Sequence, residues 1–219
     1  MLVSFATGLG LQEKIRDKIA AFNGHINISN YDNNSSQVTL TPVDKNQEFY
    51  PEFNKVEGIA HVQAVATKFG IIRTETDFEG VIVKGVGTDY NWNYFKDFLV
   101  EGELPNVADK LNDEVLISSN LANRLQLNVG DKMPTYFLRD GSERPLTRGF
   151  VITGIYDSGF MEFDKLYVLA DIRHIQRLNR WEENQVGNFE VFLNDFNEID
   201  KKGQEVYEKI GSFLDIQTI

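Results

Sequence analysis

The chain has 219 residues, 42% hydrophobic and 25% charged, with 16 Phe and 8 Tyr. This excludes a wholly disordered chain and leaves room for one large domain or two intimate subdomains. With 22 basic and 33 acidic side chains the net charge is −11, which argues against a nucleic-acid binder and against lying on an anionic leaflet. Without cysteine, disulfides, zinc–thiolate sites and thiol catalysis are excluded, while the compartment stays open.

No stretch reaches the ~20 apolar residues that a bilayer crossing needs. Leu2 to Leu11 is apolar and small, with no charge before Glu13 and no basic n-region of a signal peptide. It reads either as a weakly ordered start or as the last turns of a transmembrane helix. Leu11, Ile15, Ile19 and Phe22 recur at helical spacing and predict an amphipathic helix stopped by Asn23-Gly24. Ile26 and Ile28 alternate as a strand, Asn30 to Ser36 is a polar turn, and Val38 to Leu40 is a second short strand. Pro51 suits the first turn of a short helix carrying Phe53 and Val56, and Val62 to Ile72 reads as a long strand.

Val81–Val83 and Val115–Ile117 look like strands, and Leu121–Leu125 like a short helix behind Ser118, Ser119 and Asn120. Thr135–Leu138 and Phe150–Tyr156 are predicted strands joined by the polar segment Arg139 to Gly149, in which Asp140-Gly141 favours a turn. Asp171 caps a helix bearing Ile172, Ile175 and Leu178. Phe189, Val191 and Leu193 alternate as a strand. Ile199, Val206, Ile210 and Phe213 mark one long helix, and Ile216 and Ile219 a final strand. Each end therefore carries a strand–helix–strand unit, and a β-rich block lies between them.

The catalytic inventory is thin. His25, His61 and His174 are scattered, none with a second His at metal-ligand spacing, and read as structural. Gly85-Val86-Gly87 fails the dinucleotide fingerprint and reads as a tight turn. No phosphate loop, nucleophile elbow or calcium loop is present. Glu162 and Asp164 read as polar strand positions around Phe163. The sequence thus points to a non-enzyme without a cofactor or bound metal. Arg139, Arg144 and Arg148, with Pro145 stiffening the segment, form a basic island in an acidic chain. They are candidate contacts for an acidic or polar partner, against the plainer reading of a solvated hairpin tip.

The ordered succession of short motifs resembles lipoprotein-releasing ABC transporter permeases of the LolC/LolE family. Gly10-Leu11-Gln12-Glu13-Lys14-Ile15 through Phe22-Asn23-Gly24-His25-Ile26 resembles the segment leaving their first transmembrane helix, with Gly24 where the family carries proline. Val62-Gln63-Ala64-Val65-Ala66 and Val81-Ile82-Val83-Lys84-Gly85-Val86 look like two family strands. Glu114 to Ser118, Leu121-Ala122, Leu125 and Leu127-Asn128-Val129-Gly130-Asp131 match a run shared by MacB-like periplasmic core domains. Phe150 to Asp164 is similar to the lipoprotein-releasing branch in particular.

The resemblance implies an α+β fold. A terminal α/β subdomain (25–78 and 165–219) would carry an inserted β-rich subdomain (79–164), with 1–24 as the end of a transmembrane helix and a connecting helix. It further implies a non-catalytic domain on the periplasmic side of the bacterial inner membrane, transmitting ATP-driven motion to release lipoproteins. The implied partners are a second permease subunit or copy, a separate cytoplasmic ATPase subunit, and a lipoprotein cargo or periplasmic carrier or adaptor. Arg139 to Gly149 lies where one permease of such a pair carries a carrier-gripping hook. It is shorter than that hook, which fits the hookless partner-type subunit. The alternatives are a MacB-like efflux permease that docks a periplasmic adaptor, and a division-type regulator of a cell-wall hydrolase. If the domain sits between two membrane helices, residues near Leu11 and Ile219 should emerge close together on one face.

Overall fold

In a computed structural model, which describes residues 14–16, 18–34, 36–139 and 142–219, the chain enters through helix α1, helical at 14–16 and 18–23. Gly24 ends it as expected. Its φ of +68° is a left-handed conformation that glycine adopts without strain, and its N–H reaches the Ala20 carbonyl at 2.8 Å. Leu11, the first apolar residue of the predicted helix face, lies outside the described residues.

The strands are β1 (Ile26–Asn30), β2 (Val43–Asp44), β3 (Ile59–Arg73), β4 (Phe78–Val86), β5 (Leu99–Gly102) and β6 (Glu114–Ser118), then β7 (Lys132–Arg139), β8 (Ser142–Tyr156), β9 (Tyr167–Asp171), β10 (Gln185–Val186), β11 (Asn188–Leu193) and β12 (Leu214–Thr218). The helices after α1 are α2 (Ser119–Leu125), α3 (Met161–Asp164), α4 (Ile172–Asn179) and α5 (Ile199–Tyr207). Ten strands form one mixed sheet, and β2 and β10 make a separate ribbon. Within the sheet β3, β4, β9, β6, β8 and β7 pair in succession, and β7 pairs back to β3. Six strands therefore close into a barrel. The closing seam is short, Ile71 opposite Tyr136 and Ile72 opposite Thr135. From β3 the sheet continues outward as an arm, β11, β1 and β12. This is the mixed α/β architecture expected from the sequence, and strand pairing runs across the segment boundaries at 78/79 and 164/165.

Alternation along each strand separates two cores. Val81, Val83, Val115, Phe137, Phe150 and Ile152 are fully buried in the main core, which continues along the arm through Ile26, Ile28 and Phe189 to Phe49 and Phe53. Intervening positions Val65, Val86, Leu116 and Leu169 face the other side and form a second core with Phe22, Phe95 and Tyr156. Each such side chain contributes about 1.5–3 kcal/mol of burial, so both layers hold the fold. α4 is capped by Asp171, as predicted, and lies against β4.

Several expectations are corrected. Gly85 is not in a turn: it lies within β4, where a Cβ would meet the Ile172 backbone at 2.6 Å, so glycine is there to admit α4. The turn follows, at 87–90, closed by the Tyr90 N–H on the Gly87 carbonyl. Residues 38–40 form no strand, because only Thr39 reaches the β3 backbone, at Thr67. The segment at Pro51 is a series of turns after a cis Tyr50–Pro51 peptide rather than a helix, though Phe53 and Val56 are buried. The long C-terminal helix stops at Tyr207, and Phe213 is exposed. The polar segment 139–149 is mostly strand, since β8 starts at Ser142 and pairs with β7 through Leu146 opposite Phe137 and Thr147 opposite Tyr136. Pro145, which has no N–H for a ladder, falls where that register shifts. The Asp140-Gly141 turn lies outside the described residues. β5 and β9 have no counterpart among the predicted strands.

Candidate functional site

The most unusual chemistry is where α1 meets the sheet. Lys84 on β4 and Glu190 on β11 are 1% and 2% exposed. The Lys84 ammonium donates to a Glu190 carboxylate oxygen and to the Phe22 carbonyl in the last turn of α1. The second Glu190 oxygen accepts from Gln63 Nε2 at 2.8 Å, and Gln63 Oε1 accepts the Asn91 N–H at 2.9 Å. Burial pushes the Lys84 pKa down, and the Glu190 carboxylate pulls it back up. A buried pair of this kind is tolerated only where the remaining polar atoms are also satisfied, and here four elements satisfy them. The carbonyl at the end of α1 would otherwise be left without an intrahelical partner, and a cation is the favourable group there.

Phe22 itself sits in an aromatic cage. Its ring stacks on Phe163 at 4.5 Å and meets Phe95 at 5.1 Å and Tyr156 at 5.9 Å. Burial raises the Tyr156 hydroxyl well above its ordinary range, so this core stays uncharged. Asp164, expected on a strand, instead ends α3, and its carboxylate accepts from the Ser158 hydroxyl at 2.7 Å. α3 also carries Phe163, so this small helix is one wall of the cage. Farther round the arm, β1 pairs with β12 from Ile26 opposite Thr218 to Asn30 opposite Leu214, and the Ile219 N–H reaches the His25 carbonyl at 3.3 Å. The end of α1 and the end of β12 therefore lie side by side.

The sequence-derived contact residues fall on the β7–β8 hairpin. Arg144 and Pro145 are exposed and Arg148 is half-buried, with its guanidinium on the Thr147 carbonyl at 3.1 Å. Arg139 ends β7. The hairpin brings these positions to one projection of the barrel wall, and none of them approaches the Lys84–Glu190 joint in sequence or pairing.

The three histidines are hydrogen-bonded. His25 Nδ1 accepts the Leu193 N–H at 2.8 Å, His61 Nε2 donates to the Asp89 carbonyl at 2.8 Å, and His174 Nε2 donates to the Asn112 carbonyl at 2.6 Å. Among the described residues no group of three or more His, Asp or Glu is placed to hold a metal ion, and no helix is long and apolar enough to cross a membrane. Burial lowers the His174 pKa, and its Nδ1 is buried with no acceptor for a second proton. As pH falls, the unfolded chain therefore takes up this proton first, near pH ~6.5. Stability that is complete above that pH is expected to decline toward the lower folded pKa, by at most about 1.4 kcal/mol per pH unit from this residue. Denaturant midpoints measured across that range should show the slope, and His174→Gln should flatten it by one proton.

A family model for the MacB-like periplasmic core domain matches residues 1–206. Among solved structures, the chain resembles the extracellular domain of the noncanonic ABC-type transporter YknZ from Gram-positive bacteria. Identity is 15% and the TM-score 0.51, over 74% of this chain and 83% of that one. A domain of a putative permease protein from Porphyromonas gingivalis aligns over 89% of this chain and 90% of its own, with 15% identity and a TM-score of 0.42. No curated protein matches the chain significantly.

Proposed function

Because the chain belongs to the MacB-like periplasmic core domain family, we propose that it is the extracytoplasmic domain of an ABC transporter permease and relays motion from the membrane to a partner-facing surface. The observation that carries this reading is the pairing of β1 with β12. It sets the entry from α1 and the exit from β12 side by side at one end of the arm, as two membrane helices flanking one domain require. α1 is the input lever, and the Lys84–Glu190 joint fastens it to β4 and β11. Its working partners are a second permease subunit or copy and a cytoplasmic ATPase subunit. Lipoprotein release is the specific transport reaction we assign, supported by the likeness of Phe150 to Asp164 to the lipoprotein-releasing branch. Arg139, Arg144, Pro145 and Arg148 are the partner contacts.

The 219 residues contain no cysteine, so a single one introduced here reports cleanly once any cysteine elsewhere in the permease is replaced. In intact cells expressing the whole permease, a membrane-impermeant maleimide is expected to label exposed positions such as Asn46 and Glu101 from outside. Labelling only after the membrane is permeabilised would overturn the placement. Replacing Arg139, Arg144 and Arg148 together by Ser should leave stability within about 1 kcal/mol, because charges at a protein surface contribute little. It should weaken lipoprotein transfer in a salt-sensitive way, since such charges act chiefly on encounter; full transfer would remove the hairpin from the contact.

A further inference from the structure

We infer that the cavity between β3, the 87–90 turn, the first turn of α4 and the β2–β10 ribbon binds a free amino acid with an aliphatic side chain, as its zwitterion. The cavity measures about 260 Å³, just under the ~300–1,000 Å³ of drug-sized ligand sites, so it suits a smaller molecule. Its apolar lining is Ala64, Val107, Ile172 and Val186, all buried. Asp89 lies against it, with its two carboxylate oxygens in unequal positions. One accepts the Tyr50 hydroxyl at 2.9 Å and the Ala64 N–H at 2.6 Å. The other is buried and accepts from nothing among the described residues. A carboxylate oxygen in that state costs free energy that a bound donor recovers. Gly87, also on the lining, leaves the approach clear, because a Cβ there would come within 2.7 Å of this oxygen.

The charges select the ligand. The charged side chains on the lining are Lys45, Asp89, Asp171, Arg173 and Glu183. Two of these neutralise each other. Arg173 Nε donates to both Asp171 oxygens, at 2.8 and 2.9 Å, and its other two nitrogens donate to the Asp109 and Val107 carbonyls. Lys45 and Asp89, both half-buried, have no ion-pair partner among the described residues. The Lys45 ammonium stands 5.1 Å from the centre of the Tyr50 ring, and Asp89 holds the hydroxyl of that same ring, so the two charges flank one phenol. Glu183 is exposed and stands at the rim. A simple organic cation would meet Lys45, and a simple anion would meet Asp89 and Glu183. A zwitterion avoids both conflicts by giving its ammonium to Asp89 and its carboxylate to Lys45. This site goes beyond the transporter reading and does not depend on it.

The test titrates the 219-residue chain with leucine and with two analogues of the same shape that each lack one charge, isopentylamine and isocaproate. Leucine is expected to shift the amide resonances of Ala64, Gly87, Asp89 and Ile172, and to bind at least about ten-fold tighter than either analogue. Lys45→Met should weaken leucine by about ten-fold or more and bring it level with isopentylamine, because the partner of the carboxylate is gone. Gly87→Ala, which sets a methyl group against the Asp89 oxygen, should abolish the leucine shifts, with the unfolding midpoint checking that each variant is folded. No shift with leucine, either analogue binding as tightly as leucine, or leucine binding unchanged in Lys45→Met would each overturn the proposal. A preference for isopentylamine would do so by making the cavity a site for cations.

Discussion

Lys84→Ala is expected to destabilise the domain by about 3–5 kcal/mol, the usual cost of removing one partner of a buried ion pair. The variant leaves the Glu190 carboxylate 2% exposed with only Gln63 to donate to it, and it orphans the Phe22 carbonyl. Lys84→Met combined with Glu190→Leu should recover most of the loss, because the desolvation cost of both charges disappears together. Denaturant unfolding of the wild type, Lys84→Met, Glu190→Leu and the double variant closes the cycle. Additive single effects would mean that the pair is not coupled and that the joint is incidental.

The joint was hidden from the sequence by the same alternation that revealed its strands. Glu190 stands between Phe189 and Val191, and Lys84 follows Val83. A period of two assigns both side chains to solvent, and nothing local shows that α1 and the 90–98 segment cover that face. The two residues are 106 positions apart, and their partner is a backbone carbonyl, which carries no residue-type signal. A lysine inside the run Val81 to Val86 was the one available hint. Barrel closure was equally illegible. It depends on two residue pairs between β3 and β7, and on β9, whose residues Val168, Leu169 and Ala170 are all buried and so show no alternation. Long periodic segments are legible because burial on one face dictates them: β3, β4, the second half of β8, α4 and the capped α2 all appear where the apolar spacing places them. The hairpin reads as two strands joined by a polar loop because Ser, Glu, Arg and Thr carry no apolar alternation, although the strands pair as far as Arg139 opposite Ser142.

Phe22→Ala is expected to cost about 3–5 kcal/mol, the range for emptying a buried aromatic site, and to release α1 from the sheet. The ring is fully buried and makes contact with Phe95, Phe98, Tyr156, Phe163 and Tyr167, which come from three different stretches of chain. Those rings cannot all collapse into the space it leaves, because each is already held by its neighbours, as Phe95 is by Phe98 and Tyr156. The Phe22 carbonyl is held at the same point by Lys84, so side chain and backbone fix one residue from two directions. Losing the ring weakens both attachments, and amide exchange should quicken first in α1 while β3, β4 and β8 keep their protection. In the whole permease the consequence is specific. On the lever role proposed for α1, ATP hydrolysis should continue while transport falls, because the domain would no longer follow the membrane helices. Phe22→Leu, which refills part of the volume, should restore both protection of α1 and transport in part. If α1 stayed protected in Phe22→Ala, or if ATP hydrolysis and transport fell together, Phe22 would be a core residue and not the coupling point.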